Sequence, residues 1–322
     1  MINPIPFELA GKRVWVAGHT GMVGSAVVRR LASEQISDLI CPSSSEVDLR
    51  DQAATHDFVA RSQPDVAVIA AARVGGIHAN RSAQADFLYE NTMIAMNSLH
   101  ACLTEGVDKV AVLGSSCIYP ALAPQPMRED YLLTGPLEAT NEGYAIAKIA
   151  ALEYGKMLRR QYGLDVISLM PTNLYGPGDN YDLALSHVLP ALLRKTHEAK
   201  EMEATSLSVW GTGKPRREFL HVDDLADAVL FSLINYSGED HLNVGTGEDI
   251  SIIELARLIG RTVGWKGRYE FEPDMPDGVM RKLLDVSRLA ALGWKAAIPL
   301  ERGIQMTYAS YLAQPDAAVE TF

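Results

Sequence analysis

The stretch RVWVAGHTGMVG, Arg13 to Gly24, decides the reading of this chain. Its first half is an apolar, β-type run that reads as a buried strand. Gly18, Gly21 and Gly24 follow at once, and MVGSAVVRRLASEQ (22–35) then has the length and spacing of an amphipathic helix. A strand, a glycine turn and a helix in that order hold a dinucleotide. Glycine lets the backbone approach a pyrophosphate, the anion rests on free amides at the positive helix end, and the last glycine allows close helix-to-strand packing. A glycine triplet alone is a weak signal, but directly after a strand it predicts cofactor binding rather than a structural turn.

Strand and helix patterns continue to alternate through the first half. The β-type runs DLIC (38–41), DVAVIAAA (65–72), KVAVLGSS (109–116) and DVISLMP (165–171) are separated by QAATHDFVARSQ, NTMIAMNSLHACLTEG and YAIAKIAALEYGKMLRRQYG, each long enough for a helix. This order predicts an α/β fold with a doubly wound parallel sheet of Rossmann type, covered on both faces. Past about residue 172 the alternation fades into the Gly-, Pro- and Asn-rich NLYGPGDNYDLALSH. Beyond it we read VLPALLRKTHEAKEM as helix, LSVWG as strand, TGKPRREFLH as a basic loop, VDDLADAVLFSLI as helix and HLNVGTG as strand and turn. Residues 1–172 with about 218–248 are therefore expected to form the nucleotide domain, and about 173–217 with 249–322 a smaller α/β substrate domain.

Composition excludes several classes of function. With 48% hydrophobic residues in 322, the chain can bury a sizeable core. Forty acidic against 29 basic residues give a formal charge of −11, which opposes general attraction to nucleic acid or anionic membranes. Cys41, Cys102 and Cys117 are an odd number without metal-ligand spacing, so neither a disulfide framework nor a metal site is expected. No apolar run approaches the roughly 18 residues of a membrane helix. We therefore expect a cytoplasmic protein.

Two further stretches carry chemistry. In YAIAK, Tyr144 and Lys148 stand four residues apart, hence on one face of a helix. Alone they read as a surface pair. A lysine beside a phenol favours the phenolate, however, and such a phenol can pass a proton to or from an alcohol or ketone oxygen during hydride transfer. Ser115, at the carboxyl end of the fourth strand, lies where ligands bind in these sheets and can hydrogen-bond the same oxygen. In GSSCIYP (114–120), Cys117 alone reads as a small buried hydrophobe.

GHTGMVG, AARVGGIHAN, GSSCIYP, QPMRED, NEGYAIAK, MPTNLYGPGDN, SHVLPALLRK, VWGTGKPRREFLHVDD and RKLLDVSRL together change that reading. Nearly end to end, they resemble the extended short-chain dehydrogenase/reductases and, within them, the GDP-L-fucose synthase family. The resemblance implies that GDP-4-keto-6-deoxy-D-mannose is epimerised at C3 and C5 and then reduced at C4 with NADPH. Related sugar dehydratases carry Glu where Cys117 stands. The C4 ketone acidifies the protons on both adjacent carbons, so epimerisation must precede reduction.

By this resemblance Cys117 is the base and His187 the acid of epimerisation. Tyr144 protonates the C4 oxygen, Lys148 holds the nicotinamide ribose and tunes Tyr144, and Ser115 orients the carbonyl. Cofactor contacts are implied for Gly18, His19, Thr20, Gly21, Met22, Val23 and Gly24, for Leu113, Gly114, Ser115 and Ser116, and for Lys148, Pro171, Thr172, Asn173, Leu174 and His187. Lys195, Trp210, Arg217 and Asp277 are implied for the GDP-sugar. Taken singly, His187 reads as a surface or cap residue, Lys195 as a solvated helix face and Trp210 as a core aromatic.

The chain departs from the family pattern in three places. PDGVMRKLLD stands where PDGTPRKLLD is usual, so the loop around Asp277 is expected to differ in shape. Thr20 and Ser44 occupy positions where the family carries arginines suited to the 2′-phosphate of NADPH. The acidic residue that would select NADH is missing too, which leaves Ser43, Ser44 and Ser45 to meet the phosphate; we expect NADP(H) use with weakened discrimination against NAD(H). A GDP-L-colitose synthase would use the same residues, and a non-catalytic NAD(P)-sensing protein could share the fold. The resemblance also implies a homodimer through a helix bundle that includes residues 145–160.

Overall fold

β1 (Arg13–Ala17) is a strand because its interior residues are apolar and buried on both sides. In the computed structural model, which describes residues 6–183, 185–274 and 277–313, it lies inside a six-stranded parallel sheet. The first half of the chain then runs α1 (Met22–Leu31), β2 (Asp38–Ile40), α2 (Gln52–Ser62), β3 (Val66–Ile69), the short α3 (Ile77–Ser82), α4 (Gln84–Thr104), β4 (Lys109–Leu113), α5 (Glu142–Tyr162) and β5 (Asp165–Pro171). Helix α4 starts well before the predicted residue 91, its early turns being carried by QADFLYE.

β6 (Asn173–Tyr175), α6 (Val188–Glu201), β7 (Ser206–Trp210), β8 (Arg216–His221), α7 (Val222–Asn235) and β9 (Leu242–Val244) follow. The chain continues through β10 (Asp249–Ser251), α8 (Ile252–Val263), β11 (Arg268–Glu272), β12 (Arg281–Lys282), α9 (Ser287–Leu292) and α10 (Leu300–Leu312). The outer limits of the expected two-domain division, 1–5 and 314–322, lie outside the described residues.

The large sheet has the order β2-β1-β3-β4-β5-β9. Side-chain alternation divides its residues between two cores. Val14, Val16, Val66, Val68, Ala111, Leu113, Ile167 and Leu169 point toward α1 and α7. Trp15, Ala17, Ala67, Ile69, Val110, Val112 and Val166 point toward α2, α4 and α5. With both faces covered, ligand access is left to the ends of the strands, and the strand order reverses between β1 and β3. The crevice at their carboxyl ends is the expected binding place in a doubly wound sheet.

A second, mixed sheet forms around β8, which pairs with β10, β12 and β6, while β7 and β11 make a separate parallel pair. The stretch TGKPRREFLH is thus a loop only up to Pro215; its second half is a strand. Our loop expectation failed because the two arginines obscured the pattern. Arg216 lies on Asp249 of β10 (Nε–Oδ1 2.6 Å), so charge is accommodated on a paired strand by a partner remote in sequence. β6 was hidden in the same way inside the Gly-, Pro- and Asn-rich connection, and its ladder comes from β8. Leu189, Leu192 and Leu193 of α6 join Leu255, Ile259 and Ile304 in a further apolar core on this side.

Candidate active site

The glycine loop leaves α1 open at its amino end. Gly21 is the N-cap with no side-chain hydrogen bond, and no acidic residue enters the first turn. The amides of Met22, Val23 and Gly24 therefore have no partner within the helix and face the end of β1. Close packing requires two of the glycines. A Cβ on Gly24 would meet the Gly18 carbonyl oxygen at 2.0 Å, and Gly18, at φ +80°, would press one against Ala71 at 2.7 Å. His19 adds a buried Nδ1 without a partner among the described residues, while Thr20 is exposed. This cradle fits a pyrophosphate.

At the end of β4, the Gly114 amide donates to Leu169 O (2.9 Å), and a Cβ there would strike Met170. Ser115 caps the 3-10 turn Ser116–Ile118, its Oγ accepting from the Cys117 amide at 3.3 Å. That cap fixes Cys117 beside Tyr144 and Lys148 of α5, and its thiol is buried. Burial pushes the thiol's pKa up; Lys282, Ser115 and Lys148 pull the other way.

Lys148 is committed to two neighbours. Its Nζ donates to Leu113 O (2.8 Å) and lies 5.6 Å from the centroid of the Tyr144 ring. Burial lowers its pKa to about 8. Burial, and then the charge of Cys117, raise that of Tyr144. This direction runs against the expected phenolate: desolvation in a low-dielectric wall favours the neutral phenol, the form that can give a proton.

His187 is the N-cap of α6 but makes no side-chain cap bond. Its residue surface is exposed, while crowding by the surrounding protein, followed by the charge of Lys282, holds its pKa below the ordinary value. Lys195 Nζ lies 5.8 Å from the ring centroid of Trp210, which is 65% exposed rather than a core aromatic. Asp277 accepts from the Thr212 amide (2.6 Å) and hydroxyl (2.7 Å), and Gly278 approaches the Arg217 guanidinium. Pro276, in the same PDG turn, lies outside the described residues. Pro171 ends β5, and Leu174 lies in β6. Thr172 Oγ1 (3.4 Å) and Asn173 Nδ2 (2.8 Å) both donate to Glu218 O, so these two side chains also tie the sheets together.

Residues 14–245 match the pattern of the NAD dependent epimerase/dehydratase family. The chain belongs to this family. It is 50% identical over 307 residues to the GDP-L-fucose synthase of Sinorhizobium fredii, covering 95% of this chain and 98% of that one. With the GDP-L-colitose synthase of Yersinia pseudotuberculosis it shares 35% over 302 residues, 93% of this chain and 98% of the other. Its fold superposes with a TM-score of 0.88 on a GDP-L-fucose synthetase from Naegleria fowleri bound to NADP, at 30% identity over 96% of this chain and 95% of that one.

In this family member the structure brings Ser115, Cys117, Tyr144 and Lys148 into one cluster. His187 is not hydrogen-bonded to Cys117; the group whose charge reaches both is Lys282. Sequence reasoning missed Lys282, because nothing local in RKLLD distinguishes it from Arg281. It also missed Glu46. This carboxylate accepts from the amide and hydroxyl of Ser43 (both 2.7 Å), whose Oγ lies 2.8 Å from that of Ser45. Two of the three serines expected to meet a phosphate are therefore engaged locally, and an acidic group stands beside them.

Proposed function

We propose that this chain acts as a GDP-L-fucose synthase, inverting C3 and C5 of GDP-4-keto-6-deoxy-D-mannose before reducing C4. The observation that carries this reading is a buried thiol, Cys117, beside Tyr144 and Lys148, in a chain half identical over nearly its whole length to a GDP-L-fucose synthase. Identity to the colitose enzyme is lower, at 35%. A pure sensor would have no use for the intact Ser115, Tyr144 and Lys148.

The residues divide the work. Cys117 removes the proton from C3 and from C5, and His187 returns one on the opposite face, while Ser115 and Tyr144 face the C4 oxygen on which charge develops. Tyr144 then gives its proton to that oxygen. Bound at the glycine loop, NADPH supplies the hydride. On the substrate side, Lys195 and Arg217 supply cations for the diphosphate, Trp210 a face for the base, and Asp277 an acceptor. We further read the first sheet with α7 and β9 as the nucleotide part and the β8 sheet with α6, α8 and α10 as the substrate part. A homodimer is proposed through α4 and α5, where Tyr89, Ile146 and Met157 are exposed.

Incubation with GDP-4-keto-6-deoxymannose and NADPH, followed by NMR of the product, tests the assignment. Inversion at C3 and C5 with reduction at C4 is expected. A product inverted at C5 alone, or preference for the 3-deoxy ketone, would transfer the assignment to the colitose reaction.

Cofactor choice gives a second prediction. Without arginine at Thr20 and Ser44, and with Glu46 nearby, NADPH is expected to exceed NADH in kcat/KM by less than about tenfold. Ser44→Arg should widen that margin by about tenfold or more, the value of one charge-assisted contact to phosphate. Strong NADPH selectivity in the parent, unmoved by the arginine, would mean that the phosphate site lies elsewhere.

A further inference from the structure

We propose that Asp249 is a positioning residue for GDP-sugar binding: its carboxylate, held between Arg216 and Arg281, fastens the short strand β12 to β8 and so fixes Arg217 against the turn that carries Asp277. The inference rests on the reading of Arg217 and Asp277 as GDP-sugar residues. Asp249 acts through them and not on the substrate.

β12 has little backbone of its own to hold it. It consists of Arg281 and Lys282, which pair with Arg216 and Arg217 of β8. The register sets like charges directly opposite each other on neighbouring strands, where they repel. Arg216 and Arg281 share one face, and alternation turns Arg217 and Lys282 to the other. On the first face, Asp249 supplies the missing negative charge.

It does so from β10, which flanks β8 on the side away from β12. The Asp249 side chain is 5% exposed, and its oxygens are divided between the two arginines. Oδ1 accepts from Arg216 Nε (2.6 Å) and Oδ2 from Arg281 Nε (2.5 Å). Arg216 Nη2 also donates to Asp249 O (2.8 Å), so one guanidinium grips both side chain and main chain. Glu254 Oε2 lies 3.5 Å from Arg216 Nη1, but it is already shared with the amide and hydroxyl of Ser251. Among the described residues, Asp249 is the only carboxylate paired with Arg281.

The clamp leads directly to the substrate side. Arg217 Nη1 donates to Arg216 O (2.9 Å), and the Arg216 amide donates to Met280 O (2.8 Å). A Cβ on Gly278 would lie 3.5 Å from Arg217 Nη2, and Asp277 takes the amide and hydroxyl of Thr212. The turn 277–280 is therefore pinned at Thr212, at Arg216 and, through Arg281, at Asp249. Without the Asp249 charge, two guanidinium groups stand opposed on β8 and β12, and the turn moves away from Arg217.

The test is binding of GDP to the free protein, measured by calorimetry beside binding of NADPH. Asp249→Asn keeps the shape of the side chain and removes its charge. Its Kd for GDP should rise about tenfold or more, the scale of one charge-assisted contact. The Kd for NADPH and the kcat at saturating keto-sugar should stay within about twofold, because only ground-state binding of the GDP part is lost. Adding Arg216→Leu to Asp249→Asn should recover part of the lost GDP affinity, since the repulsion is gone and the amide oxygen left at 249 still accepts from Arg281. General loosening of the sheet would be deepened, not repaired, by that second substitution.

If Asp249→Asn does not fold, Arg281→Leu decides, because it leaves Asp249 and Arg216 paired and unties β12 alone; GDP affinity should fall here too. Unchanged GDP affinity in either folded variant, or a double variant weaker than the single one, would overturn the proposal. Arg217→Gln is the control for the site itself. If it leaves GDP binding unchanged, the reading of the GDP-sugar site fails and the proposal with it. A loss of GDP binding in Asp249→Asn, in a protein that turns over no keto-sugar, would keep the Asp249 role and reject the proposed function.

Discussion

Cys117→Ser should lower solvent-deuterium incorporation at C3 and C5 of the keto-sugar by about a hundredfold or more, while cofactor and GDP-sugar binding persist. Serine nearly matches the thiol in size, so the 3-10 turn capped by Ser115 has no steric reason to move. What changes is basicity. A cysteine titrates at about 8.5 in water and is within reach of neighbouring cations, whereas a serine hydroxyl stays protonated at any working pH. Neighbouring cations lower a thiol's pKa, but they cannot make an alkoxide. NMR of the keto-sugar in deuterated water measures the effect directly. Exchange at the parent rate would remove Cys117 from the base role. Because reduction uses other groups, the variant is also expected to reduce the unepimerised ketone slowly, giving a product of D configuration.

Tyr144→Phe should show the reverse pattern: reduction at C4 falls by about 10² to 10⁴, the usual contribution of a positioned proton donor, and deuterium exchange survives. Desolvation favours the neutral phenol, so removing its hydroxyl removes a proton donor and not a charge. Lys148 keeps its bond to Leu113 O, and the ring keeps its edge-on contact with Phe87, so the change is confined to one oxygen. Parallel assays of NADPH oxidation and proton exchange on the same folded sample separate the two activities. Loss of both together would mean that the phenol also holds the enolate, and that epimerisation and reduction do not use separate groups.

Much of this architecture was legible in the chain itself. Apolar runs of strand length, alternating with amphipathic runs of helix length, determine a parallel sheet covered on both faces, because no other layering buries both surfaces of every strand. GHTGMVG determines the cofactor end for an equally local reason. Gly18 needs a positive φ and Gly24 cannot carry a Cβ, and both requirements are set within one turn of chain. The spacing of Tyr144 and Lys148 is likewise a property of any helix.

Tertiary structure decided the rest, through contacts between residues far apart in sequence. The Arg216–His221 segment becomes a strand only because β6, β10 and β12 pair with it. The raised pKa of Tyr144 follows from the protein packed around it and from Cys117, not from the lysine four residues away on the same helix. The charge of Lys282 bears on Cys117 across 165 positions of chain, its strand being held by pairing with β8, and no local pattern distinguishes it from Arg281. A helix or a glycine turn depends on its own few residues, whereas the charge state of a buried group depends on every dipole and cation folded around it, so it exists only once the chain has closed.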